Sequence, residues 1–125
     1  MGIIYLASPY SHKSEVTKEL RYREISRLAA TLVCRGEVIF CPISMSHSFS
    51  KWGYTPTTWE FWEHQDIPFL KIASELWVAT LDGWEESVGV QAEIRYAQDH
   101  KIPISLVDPK TGLRTSYDQP YKGVF

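Results

Sequence analysis

Short apolar runs alternate along this chain with longer stretches of helical spacing, and that alternation predicts strands and helices in turn. Gly2-Ile3-Ile4-Tyr5-Leu6-Ala7 reads as a first strand, closed by Ser8-Pro9-Tyr10. A long helix should follow, with Ser14 as its N-cap and Leu20, Ile25, Leu28, Ala29, Leu32 and Val33 at helical spacing. Gly36 suits the position just past its end. Glu37 to Cys41 is a second strand, stopped by Pro42. From Ile43 to Thr57 the chain shows no clear period, which predicts a long loop overhanging a site. Thr58 then caps a helix from Trp59, and Pro68, lacking a backbone N–H, predicts a kink or a fresh helix start. A strand over Leu76–Leu81, a helix over Glu86–His100 and a strand over Ile102–Val107 complete the series.

Near-continuous apolar strands in the order βαβαβαβ belong to a parallel sheet covered on both faces. The fold class expected is therefore α/β, a three-layer, flavodoxin- or Rossmann-like sheet of about four to five strands with helices on both faces. The 125 residues suffice for one domain with a real core, so 1–125 is read as a single domain. Apolar residues at 44% and charged ones at 22% place the chain among soluble globular proteins. No apolar run is long enough to span a bilayer, and the N-terminal segment lacks a basic region before its short apolar run. A cytoplasmic protein with no membrane partner is expected.

Charge narrows the partners. The net charge is −2, and Lys and Arg are dispersed apart from Lys18, Arg21, Arg23 and Arg27, which excludes a duplex nucleic acid stripe but leaves a small anion open. Cys34 and Cys41 lack CxxC spacing and read as reduced, buried thiols. His12, His47, His64 and His100 lack HExxH spacing, so neither a metal nor a cofactor is expected. Trp52, Tyr54, Trp59, Phe61 and Trp62 either stack on a planar ligand or fill a core or subunit interface. With a tail ending in Tyr117, Tyr121 and Phe125, they suggest a homo-oligomer, a dimer or tetramer.

In a parallel sheet, ligands bind beyond the carboxyl ends of the strands. Ser8 to Tyr10, Pro42 to His47 and Asp82 to Gly89 would converge there. Glu93, beside Val90 and Ile94 on the edge of a buried helical stripe, would look into that crevice as nucleophile or general base. Tyr5 on the neighbouring strand could orient it; the alternative is a solvated surface glutamate. Asp66 is a second carboxyl, read either as acid to the leaving group or as a cap near Pro68. Ser87 and Gly89 stand at a helix start suited to anions, where Ser87 also serves as N-cap. Ser8, Tyr10, His47, Asp82 and Gly83 complete the candidate ligand contacts.

The segments Ile4-Tyr5-Leu6-Ala7-Ser8-Pro9-Tyr10, Asp66, and Leu81-Asp82-Gly83 followed by Ser87-Val88-Gly89 and Glu93 resemble the nucleoside 2-deoxyribosyltransferase superfamily, including its small deoxynucleoside 5′-monophosphate N-glycosidase branch. The resemblance covers about residues 2–107. It implies Glu93 as the nucleophile at the anomeric carbon, Tyr5 as its holder, Asp66 as the group serving the departing base, and a neighbouring subunit completing the site. Ser87, where the transferases carry an acid, is similar to the monophosphate branch and implies a phosphate contact. The turn Ser8-Pro9-Tyr10-Ser11-His12-Lys13 departs from that branch's glycine- and arginine-rich turn, leaving Lys13 or Arg21 as substitutes. The implied activity is N-glycosidic cleavage or transfer on a nucleoside or its 5′-monophosphate. The alternatives are a non-catalytic nucleotide-binding or sensing module, or a flavodoxin-like electron carrier.

Overall fold

A computed structural model describes residues 2–117. In chain order the elements are β1 (Ile4–Ala7), α1 (Glu15–Cys34), β2 (Ile39–Phe40), α2 (Pro42–Trp52), α3 (Trp59–Ile72), β3 (Glu75–Ala79), α4 (Val88–Asp99), β4 (Ile104–Val107) and β5 (Arg114–Ser116). One sheet has the order β2-β1-β3-β4-β5. The first four strands are parallel, as the apolar alternation predicts. β5 is not part of that prediction. It pairs antiparallel with β4 after a turn in which Asp108 Oδ1 accepts from the N–H groups of Lys110 and Thr111. A turn this short can return a strand only antiparallel, and the resulting edge strand is exposed. Tyr121 and Phe125 of the expected aromatic tail lie outside the described residues.

Two apolar layers sandwich the sheet. On one face Ile4 and Leu6 of β1 and Trp77 and Ala79 of β3 pack against Ile25, Leu28 and Leu32 of α1. On the other, Tyr5 and Ala7 with Leu76 and Val78 meet Leu70 of α3 and Val90, Ile94 and Ala97 of α4. The twofold alternation of a strand makes this division and sends Tyr5 to the α3–α4 side. Each fully buried Leu, Ile or Val in these layers contributes about 1.5–3 kcal/mol.

α1 begins where Ser14 accepts from the Thr17 N–H, and Gly36 past its end has φ +96°. Its buried stripe is narrower than the sequence predicts, because Leu20 and Val33 are exposed. Cys34, two positions beyond Leu32, turns away from the sheet and is also exposed rather than buried; Cys41 is half-buried, and both thiols are free.

Two further segments differ from what their sequences suggest. The segment read as a long loop folds largely into α2, started by Pro42 at its first position, where a missing N–H costs nothing. Its inward residues include Ser46 and His47, so the helical period is carried by polar side chains. α3 runs through Pro68 without a fresh start. Asp66 is therefore an interior helical residue on the same buried face as Leu70, not a cap.

Candidate active site

In the order β2-β1-β3 the chain reverses its direction of winding between β1 and β3, which opens a crevice beyond their carboxyl ends. A cavity of about 840 Å³ lies there. Its walls come from the turn after β1, the inner face of α2, the segment leading into α3, and the start of α4.

Glu93 and Asp66 are buried in one wall, 4% and 5% exposed. The Tyr5 hydroxyl donates to Glu93 Oε2. Tyr5 is well suited to this, since burial, then the charges of Glu93 and Asp66, push its phenol well above the usual range and keep it protonated. Its ring is seated against Phe40, which stacks on Phe69. Burial pushes Glu93 up to about 8; the Tyr5 hydrogen bond opposes this and the charge of Asp66 adds to it. Burial alone lifts Asp66 to about 7. The pair thus retains a proton near neutrality. Asp66 Oδ1 and the Ser8 hydroxyl, both buried beside the cavity, meet no hydrogen-bond partner among the described residues. An unpartnered buried polar atom costs about 1–3 kcal/mol, so these two favour a ligand that offers hydrogen bonds.

At the start of α4, Ser87 Oγ accepts from the Val90 N–H, and the first turn carries no acid. Ser87, Gly89 and Val90 line the cavity, so the positive end of the α4 dipole faces it. Gly89 has a packing role: a Cβ there would lie 3.3 Å from Cε3 of Trp59. Gly83 has φ +90°, and a Cβ there would strike the Arg21 guanidinium. That guanidinium donates to the carbonyls of Ser11 and Asp82, tying the turn after β1 to the turn after β3. Asp82 contributes this carbonyl, while its side chain is exposed and the residue does not line the cavity.

A second polar group faces the same space. Tyr10 Oη lies 2.7 Å from His47 Nδ1, and His47 Nε2 lies 3.1 Å from Glu19 Oε1. Tyr22 stacks on the His47 ring at 4.0 Å. Glu19 and Tyr22 were not legible as site residues, because they sit on a polar face of α1 far in sequence from His47. Trp59 and Trp62, expected in a core or interface, are half-buried and line the cavity, with Trp62 Nε1 donating to the Pro56 carbonyl. Among the described residues no cluster of three or more His, Cys, Asp or Glu is placed to hold a metal ion, and no helix is long and apolar enough to cross a membrane.

The model of a family described as "Domain of unknown function (DUF1937)" matches residues 2–108, and the chain belongs to that family. The matched span contains β1 through β4 and every residue of the cavity wall named above. No curated protein matches the chain.

Proposed function

We propose that this DUF1937 member cleaves or transfers the N-glycosidic bond of a nucleoside or nucleoside 5′-monophosphate through a covalent glycosyl ester of Glu93. The observation that carries the reading is the buried hydrogen bond from Tyr5 to Glu93, with Asp66 beside it, on the wall of a cavity of about 840 Å³. That volume falls within the range of about 300–1,000 Å³ usual for small-molecule sites. The resemblance of the Tyr5, Asp66, Ser87-Gly89 and Glu93 segments to nucleoside 2-deoxyribosyltransferases supports the same chemistry.

Two carboxyls with different surroundings can divide the work. Glu93 as carboxylate attacks the anomeric carbon, and a C–O bond forms as the C–N bond breaks with its electron pair leaving on the base. A proton on Asp66 passes to that base. In the second half water yields a proton to Asp66, its oxygen takes the anomeric carbon, and the Glu93 carboxylate is released; an acceptor base in place of water gives transfer. In the unliganded site, burial favours the proton on Glu93, whose pKa of about 8 exceeds the value of about 7 at Asp66. Attack requires the opposite arrangement. A sugar hydroxyl donating to Glu93 would add to the Tyr5 hydrogen bond and shift the proton to Asp66.

Incubation with deoxynucleosides and their 5′-monophosphates, with and without an acceptor base, should release free base, and Glu93→Ala should abolish it. Full turnover by Glu93→Ala would remove the mechanism. Nucleotide binding without base release over long incubation would leave a non-catalytic module. The reading also includes a cytoplasmic setting and a homo-oligomer. Trp52 and Tyr54, 89% and 99% exposed, are the side chains an interface would cover, and sedimentation would show whether the chain runs above monomer mass.

A further inference from the structure

The wall formed by α1, α2 and the turn after β1 carries a chain of hydrogen bonds with a definite direction. Glu19 Oε2 accepts from Arg23 at 3.0 Å, and Oε1 lies near Lys51 Nζ at 3.9 Å as well as His47 Nε2. Arg23 foremost, then His47 and Lys51, hold the Glu19 carboxyl below the usual carboxylate range, so it is an acceptor at neutral pH. The hydrogen shared with His47 must then sit on Nε2, which leaves Nδ1 of the neutral ring bare. The contact of 2.7 Å between Nδ1 and Tyr10 Oη consequently takes its hydrogen from Tyr10. The Ser50 hydroxyl, which also neighbours Tyr10, donates to the His47 carbonyl at 2.6 Å. Tyr10 is left with its proton committed and its lone pairs available, and it lines the cavity.

We infer that Tyr10, set by His47 and Glu19, determines specificity by accepting a hydrogen bond from the ligand, and so selects an amino-bearing nucleobase over its carbonyl-bearing counterpart. The choice of nucleobase rests on the nucleoside reading above; the direction of the hydrogen bonds does not. The groups facing this unit are Tyr10 from the first turn, Glu15, Lys18, Glu19 and Tyr22 from α1, and Ser50 and Lys51 from α2.

Four nucleosides form two matched pairs, deoxycytidine against deoxyuridine and deoxyadenosine against deoxyinosine. Calorimetric binding to the Glu93→Gln protein at pH 7.5 should favour the amino member of each pair about tenfold, the size expected when a buried hydrogen bond is lost. The preference should vanish in a variant that adds Tyr10→Phe. Glu19→Gln is the sharper probe. Arg23 would hold the amide oxygen, the amide N–H₂ would donate to His47 Nε2, and the ring hydrogen would move to Nδ1. Tyr10 would then donate, and the preference should invert at pH 7.5.

Nitrogen-15 spectra of the ligand-free protein give a readout independent of any nucleoside, with hydrogen on His47 Nε2 expected at neutral pH. Hydrogen on Nδ1 there, or an undiminished preference in Tyr10→Phe, would overturn the inference. Equal binding of all four nucleosides with base released from each by the wild type would overturn it while glycoside cleavage stood. No binding by any of the four or by their 5′-monophosphates would overturn the nucleoside reading and this ligand assignment together.

Discussion

Tyr5 acts on Glu93 by lowering a pKa that burial raises, so its removal has a signed consequence. Tyr5→Phe should move the rising limb of the kcat/KM profile to higher pH and reduce the rate at neutral pH by about 10–100-fold, as a buried charged group loses one hydrogen bond. A rate loss with an unmoved profile would make Tyr5 a packing residue only. Asp66→Asn should cost about 10²–10⁴-fold in base release, the usual contribution of a general acid, while Glu93→Ala should leave nothing measurable. Glu93 was legible because a carboxyl stood beside Val90 and Ile94, and Tyr5 because strand alternation places it on the same side of the sheet. Glu19 gave no such signal. It is 28 residues from His47, and only the docking of α2 on α1 joins them.

Elements whose buried face is apolar could be read from the sequence, and those with a polar inner face could not. α4 shows both its Ser87 cap and its stripe of Val90, Ile94 and Ala97. α2 hides its period behind Ser46 and His47, which turn inward because the cavity, not the core, receives them. β5 was hidden for a different reason: three polar residues on an exposed edge carry no alternation at all. Of the two outcomes Pro68 allowed, a kink or a fresh start, the fresh start does not occur, since packing of Asp66 and Leu70 holds α3 together across it. Pro68 supplies no N–H to the His64 carbonyl and is itself exposed, so Pro68→Ala should restore a helical hydrogen bond without opening a cavity. We expect a gain of about 1–3 kcal/mol in denaturant unfolding. If stability does not rise, the helix has already accommodated the break. Activity measured beside it tests whether α3 must keep its present path to place Asp66.

For the molecule as a whole, the site sets the pH at which the fold is most stable. Carboxyls in the unfolded chain titrate near 4, whereas in the folded chain Glu93 keeps its proton until about 8 and Asp66 until about 7. Between these limits the folded state binds more protons than the unfolded one, so stability falls as pH rises from about 4 towards 8. Glu19 and Asp108, whose carboxyls lie below the usual range, act in the opposite sense, but their contribution is lost only as pH drops below about 4–5. Maximum stability is therefore expected near pH 4–5, where the two opposing trends meet. Glu93→Gln removes the larger penalty, because a neutral amide has no charge to desolvate, and should raise unfolding free energy at pH 8 by on the order of 3 kcal/mol while changing it little at pH 5. Chemical denaturation of both proteins at the two pH values measures this directly. Equal stability of the pair at pH 8 would mean that the Glu93 charge is satisfied by the fold itself. A wild type that loses stability upward through this window carries two acids whose burial serves the site at the expense of the fold.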